Sequence, residues 1–334
     1  MLFDGKKILI TGGTGSLGQA LTKRLLKENV DTIRIFSRNE TKQIEMETKI
    51  SDNRLRFFVG DIRDYDRLVR AMEDIDYVFH AAALKHVPKI EYNPFESIKT
   101  NVIGSQNVID ACLKENVDKV VAIGTDKAVS PLNTYGATKL LMEKLFVSAN
   151  NYFSKKHRTK FIAVRYGNVF GSSGSVIPKF IEQVKLNQKI TITNPKMTRF
   201  SITMSEALDF IFNALKSGNG SEIFIPKLRA YSISDVKNTI MEIFDYNKEE
   251  EVGIRPGEKL HEILVNNEEV PYSWEYNNMY MITNPLYPLF QRKSINELYH
   301  NIKKIDGMNA YSSDQVERFT KGELKKMIME LGIN

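Results

Sequence analysis

The run Ile8-Leu9-Ile10-Thr11-Gly12-Gly13-Thr14-Gly15-Ser16-Leu17-Gly18 constrains the fold more than any other part of the chain. An apolar, β-rich stretch passes straight into G-x-G-x-x-G at Gly13, Gly15 and Gly18. Leucines at helical spacing follow in "SLGQALTKRLLKEN". Gly12 adds the wider T-G-x-x-G-x-x-G spacing. A strand that turns through glycines into a helix lets backbone approach a pyrophosphate, whose charge the helix N-terminus favours. In this context the segment Thr11–Gly18 reads as a dinucleotide cradle.

The same alternation continues. Strands are expected in "DTIRIFSR", "RLRFFVGDI", "IDYVFHAAA", "DKVVAIGT" and "KFIAVRYGNVFG", with helical segments between them. That order predicts an α/β fold of Rossmann type, a doubly wound parallel sheet with helices on both faces. Loops after the strands then converge on one crevice beyond their carboxyl ends. Residues 1–170 are expected to form this dinucleotide-binding domain, with about 201–230 returning to it. Residues 171–334 are expected to form mainly a smaller substrate-binding lobe, with "EKLHEILV" helical and an amphipathic helix at the C-terminus.

The end of the second strand bears on the cofactor. NAD sites usually carry an acid there for the ribose 2′-hydroxyl. Here the place reads Ser37-Arg38-Asn39, and an arginine suits a 2′-phosphate, so NADP is favoured; the nearby Glu40 leaves NAD open. Asp61 is placed for the adenine amino group, with Ile62 beneath the ring. Tyr135 and Lys139 stand four residues apart on one helix face. Thr125 ends the preceding strand, within reach of the tyrosine hydroxyl. A phenol with a pKa near 10 is a poor base, and a neighbouring ammonium favours its ionised form.

Other classes are excluded by composition. The lone Cys112 rules out an intrachain disulfide framework and a cysteine zinc site, and reads as a small buried hydrophobe. No apolar run spans a membrane and none resembles a signal peptide, so a soluble cytoplasmic protein is expected. The net charge is +6, yet 47 basic residues are interspersed with 41 acidic ones and form no block with interleaved aromatics, so nucleic acid is not expected as a partner. No metal-ligand spacing surrounds His86, which reads as structural.

The stretches "ILITGGTGSLG", "HAAALKHVP", "TDKAVSPLNTYGATK", "RYGNVFGSSGSVIPKF", "MTRFSIT" and "IRPGEKLHE" resemble the extended short-chain dehydrogenase/reductase family of nucleotide-sugar enzymes. Within it they are similar to the inverting UDP-N-acetylglucosamine 4,6-dehydratases of bacterial pseudaminic-acid and capsule pathways. The likeness runs from residue 8 to about 264 and is looser beyond. It implies oxidation at C4, proton loss at C5, loss of the C6 hydroxyl, and a product UDP-2-acetamido-2,6-dideoxy-β-L-arabino-hex-4-ulose. It assigns Lys127 as the C5 base, provided burial lowers its pKa, and Asp126 as the acid. Neighbours on an extended chain point to opposite sides, so both reach one sugar only if the chain turns sharply there.

The resemblance further implies a nicotinamide site completed by Ala81, Ala82, Ala83, Lys85, Asn101, Tyr166 and Asn168. It places Lys85, Arg165 and Asn168 on the sugar pocket, and Thr193, Met197, Arg199, Arg255 and Glu258 around the UDP end, with Val176 and Pro178 flanking uracil. It also implies a homo-oligomer, with a hexamer as one form. A UDP-sugar C4 or C5 epimerase and a non-catalytic NADP-binding sensor are the alternatives.

Overall fold

The computed structural model describes residues 2–152, 157–172, 174–286 and 294–332. Strand β1 (Lys7–Thr11) leads into helix α1 (Ser16–Leu25), and the alternation continues through β2 (Thr32–Ser37), α2 (Glu40–Lys49), β3 (Leu55–Val59), α3 (Tyr65–Met72) and β4 (Tyr77–His80). Short helices α4 (Val87–Tyr92) and α5 (Pro94–Ser97) run through a π-helical turn, Ile98–Ile103, into α6 (Gly104–Lys114). Then come β5 (Lys119–Ile123), a 3-10 turn at Asp126–Ala128, α7 (Thr134–Tyr152) and β6 (Lys160–Val164). The second part supplies β7 (Asn168–Val169), α8 (Val176–Lys185), β8 (Ile190–Ile192), β9 (Thr198–Ile202), α9 (Met204–Ser217), β10 (Glu222–Pro226), β11 (Arg229–Ser232) and α10 (Ile233–Ile243). It ends with β12 (Glu249–Glu251), β13 (Ile263–Val265), β14 (Ser273–Tyr276), β15 (Met279–Thr283), β16 (Lys303–Lys304), β17 (Tyr311–Ser312) and a last helix, Lys321–Met329.

The large sheet has the order β16-β14-β15-β10-β6-β5-β4-β1-β2-β3. From β3 to β10 every pairing is parallel. Side chains alternate across it. Leu9, Val78, Val120 and Ala122 face α3, α6 and α7, while Ile8, Ile10, Phe79, Val121 and Ile123 face α1 and α9. Both faces are therefore covered, which is why these strands read as unbroken apolar runs. A separate core around Ile177, Phe180, Ile192, Val236 and Leu324 holds the lobe together. Among the described residues no helix is long and apolar enough to cross a membrane.

Three expectations change. "KFIAVRYGNVFG" is not one strand: β6 stops at Val164, and β7 joins β9 and β11 in a second sheet. The break falls where Arg165 turns inward to two carboxylates and Gly167 lies so close to Phe200 that a Cβ would stand 2.5 Å from the Phe200 Cβ. "EKLHEILV" is not a helix, because Ile263–Val265 pairs with β17 and His261 bridges Thr198. Finally, β15 and β14 extend the large sheet antiparallel, so the later chain enters it well beyond residue 230.

Candidate active site

The glycine loop fits a dinucleotide. Gly12 has φ +67°, and a Cβ there would stand 2.8 Å from the Ala82 backbone. A Cβ on Gly18 would meet the Gly13 backbone at 2.5 Å. The loop thus lies flat against Ala81 and Ala82 and its own helix, leaving the Gly15–Ser16–Leu17 turn at the N-terminus of α1 for phosphate. Thr11 Oγ1 contacts His80 Nδ1 at 2.8 Å and accepts from Ala82 N–H. Burial, with Lys139 nearby, pushes the His80 pKa down to about 3, so this ring is a neutral spacer. Thr14 is buried in the loop, its carbonyl accepting from Gln19.

At the end of β2, Arg38 is the side chain not committed to holding the local backbone. Ser37 is buried and held by Gln43, and Asn39 caps α2 through Lys42 N–H. The Arg38 guanidinium is half exposed, 3.8 Å from Asp61. Burial pushes the Asp61 pKa up, but hydrogen bonds from Arg63 outweigh it and hold the carboxylate ionised. Ile62 is buried against Gly104. Asn101, expected at the cofactor, is 1% exposed and bonds both the N–H and the carbonyl of Leu84. It shapes the Ala81–His86 loop rather than offering its amide to a ligand. On that loop Lys85 and His86 are exposed.

The Asp126–Ala128 turn solves the geometric problem of adjacent residues. Thr125 is extended and its hydroxyl accepts from Lys127 N–H, so the chain reverses at once. Asp126 N–H is anchored on the Tyr166 carbonyl. Both side chains then meet: Lys127 Nζ lies 3.0 Å from Asp126 Oδ1, which also accepts from Thr125 Oγ1 at 2.9 Å. Burial raises the pKa of the partly buried Tyr135 phenol, and Lys127 and the neighbouring Thr125 hydroxyl partly oppose the rise. Lys139 is 3% exposed and donates to the Ile123 carbonyl at 2.5 Å. Burial lowers its pKa to about 8, and Glu143 limits the fall.

Lys127 departs from expectation. Burial pulls its pKa down, yet the carboxylates of Asp126 and Glu262 outweigh burial and hold it above the ordinary lysine value. In this structure it is an ammonium whose side chain is 29% exposed to the crevice.

Two arginines also differ. Arg165, expected in the pocket, is fully buried between Glu143 (2.7 Å) and Glu269 (2.9 Å) and donates to the Leu264 carbonyl. Arg199 is 9% exposed, with its guanidinium already donating to the carbonyls of Thr198, Leu260 and Lys259. It organises the 259–262 segment and is not a free fork. Arg255 is the exposed one, 3.4 Å from Glu258 and near Lys179. Val176 and Pro178 open α8; Thr193 contacts the buried Met197. Asn168 Oδ1 accepts from Lys127 at 3.4 Å, and Tyr166, buried on Phe210, contributes its backbone.

Sequence reasoning missed Glu262, Tyr231 and Lys259, all near Lys127. Glu262 is 3% exposed, 3.8 Å from Lys127 Nζ and 3.6 Å from Arg199 Nε. Its one signal was an acid inside the apolar run "LHEILV". Among the described residues no group of three His, Cys, Asp or Glu side chains is arranged to hold a metal.

Residues 8–284 match the family described as polysaccharide biosynthesis protein. A Campylobacter jejuni protein named UDP-N-acetylglucosamine 4,6-dehydratase (inverting) is 45% identical over 94% of each chain. A Rickettsia bellii protein named UDP-glucose 4-epimerase is 41% identical over 99% of this chain and 97% of its own. The solved structure of Pen from Bacillus thuringiensis superposes with a TM-score of 0.91 at 41% identity, covering all of both chains.

Proposed function

The chain belongs to the polysaccharide biosynthesis protein family, and we propose that it removes water from UDP-N-acetylglucosamine between C5 and C6, with NADP as cofactor and inversion at C5. The observation that carries this reading is the Asp126–Lys127 pair, folded onto one side of a turn beside Thr125 and Tyr135. The inverting dehydratase named above supports it, and the half-exposed Arg38 at the end of β2 supports NADP. The glycine cradle, Arg38, Tyr135 and Lys139 would hold the dinucleotide, which when bound would take a hydride from C4 and give it back at C6.

The residues then act in order. Tyr135, helped by Lys139, takes the C4 hydroxyl proton. Lys127 must be neutral to act as a base, and Asp126 must be protonated to act as an acid. One proton passed across their 3.0 Å contact meets both needs without changing the charge of the pair. The C4 ketone acidifies C5–H, and Lys127 takes that proton. The electron pair forms the C5–C6 double bond, the C6–O bond breaks, and Asp126 protonates the departing hydroxyl as water. Reduction at C6 and protonation of C5 on the opposite face complete the inversion.

Incubation with UDP-N-acetylglucosamine in D2O tests this. The expected product is a 4-keto-6-deoxy sugar carrying deuterium at C5, with NADP released from the denatured protein. Unchanged sugar, or sugar altered only at C4, refutes dehydration. The second reading, C4 epimerisation, rests on the Rickettsia relative. An epimerase needs no acid at C6, so Lys127→Ala separates the two: it abolishes dehydration and spares epimerisation.

A further inference from the structure

The lobe contributes a buried carboxylate that the chemistry above does not use. Glu262 stands 3.8 Å from Lys127 Nζ and 3.6 Å from Arg199 Nε, at 3% exposure. Its backbone N–H is fixed on Ser313 Oγ at 2.9 Å. Arg199 is itself pinned by three carbonyls, so Glu262 faces a rigid neighbour on one side and the mobile end of a lysine on the other. Its second oxygen, Oε2, is buried without a hydrogen-bond partner. A buried carboxylate in that state is costly to keep unless it serves a purpose.

We propose that Glu262 is a positioning residue that aims the Lys127 lone pair at C5. The inference rests on the dehydratase reading. A neutral amine has two N–H donors and one lone pair. Lys127 hangs on a flexible four-carbon stem, so nothing covalent fixes which way the lone pair points. When its proton passes to Asp126, the charge-assisted contact between them is lost. Two acceptors remain beside the amine, Asn168 Oδ1 at 3.4 Å and Glu262 Oε1 at 3.8 Å. The lone pair first points at the new Asp126 O–H. Turning both N–H donors onto these two acceptors swings it off Asp126 and into the crevice, and frees that O–H for the C6 hydroxyl. Hydrogen bonds at active sites are often long without substrate and tighten with it. When C5 gives its proton to the amine and Asp126 gives its own to the departing hydroxyl, a full ammonium re-forms between the same two carboxylates, so atoms and charge balance.

The test compares Glu262→Leu, Glu262→Gln and Glu262→Asp in the full-length protein with UDP-N-acetylglucosamine. Two steps are read separately: C4 oxidation by the near-ultraviolet absorbance of reduced nicotinamide in a single turnover, and C5 exchange by deuterium uptake. Misdirecting a reacting group by about 1 Å costs on the order of 100-fold. Glu262→Leu should therefore lose about that factor in C5 exchange, leave C4 oxidation intact and accumulate the reduced cofactor. Glu262→Gln keeps an acceptor oxygen, which Arg199 turns toward the cations, and should retain activity within about 10-fold of wild type. Glu262→Asp draws the oxygen back and should resemble the leucine variant; it decides the matter if that variant does not fold. Undiminished exchange in Glu262→Leu, an equal loss of both steps, or a glutamine variant as poor as leucine each overturns the assignment. No exchange in the wild type refutes the dehydratase reading and this inference with it, a result distinct from failure of the variants alone.

Discussion

Gly136, the residue after Tyr135, is where the fold and the chemistry press on each other most directly. A Cβ built there would stand 2.2 Å from the Lys127 carbonyl oxygen and 2.9 Å from Pro131 Cβ. A carbon and a carbonyl oxygen settle at about 3.3 Å, so Gly136→Ala must drive the turn and the helix apart by about 1 Å. Neither side yields freely: the turn is tied to Tyr166 and Thr125, and α7 packs Met142 and Phe146 into the core. The strain costs about 1–3 kcal/mol. Replacing a helical glycine by alanine returns about 1 kcal/mol. The net loss of stability is therefore about 0–2 kcal/mol, and the variant should still fold. Its activity should fall much further, because the displaced group carries Lys127 while Tyr135 stays on the helix. A shift of that size is worth on the order of 100-fold. Thermal melting together with deuterium uptake at C5 measures both sides. A variant that melts like wild type and exchanges C5 at the wild-type rate refutes the claim that this contact sets the spacing.

Two further consequences follow from buried charge. Arg165 is fully buried between Glu143 and Glu269, so Arg165→Met should cost about 3–5 kcal/mol by stranding two carboxylates, read as a lowered denaturation midpoint; a midpoint within error of wild type would show that water reaches them. Glu222, buried with Tyr299 donating to it at 2.6 Å, has its pKa pushed up by burial to about 7 from an ordinary value of 4.5. A raised acid binds its proton more tightly when folded, so its contribution to stability is intact below pH 4.5 and is lost as pH rises through about 7. Glu222→Gln should flatten that decline, and parallel melting curves for the two proteins between those limits would contradict the sign.

What could be read from the sequence is what repeats or what sits next to its partner. The parallel sheet announced itself because strands buried on two faces leave continuous apolar runs, and the cradle because only glycine tolerates a backbone approach of 2.8 Å. Tyr135 and Lys139 are one helical turn apart, so their shared face is arithmetic. Arg199 and Arg165 looked alike as cations near the site, but burial separates them from Arg255. Burial depends on Lys259, Leu260 and Leu264, distant in the chain, and no local pattern encodes it.

The charge on Lys127 shows the same limit in sharper form. Its neighbour Asp126 could be seen in the sequence, and burial could be guessed, so desolvation pointed toward a lowered pKa. The sign reversed because the attraction of Asp126, and after it that of Glu262 from a segment whose pattern suggested a helix, outweighs burial at the amine. A lysine between two carboxylates is a poor base at rest, and a lysine that hands its proton to one of them is a good one. On the proposed mechanism the resting ion pair is the storage form of the acid and the base together, separated from the working form by one proton. It follows that Asp126→Asn should disable both roles at once, removing the acid and leaving Lys127 no neighbour on its own turn to receive its proton.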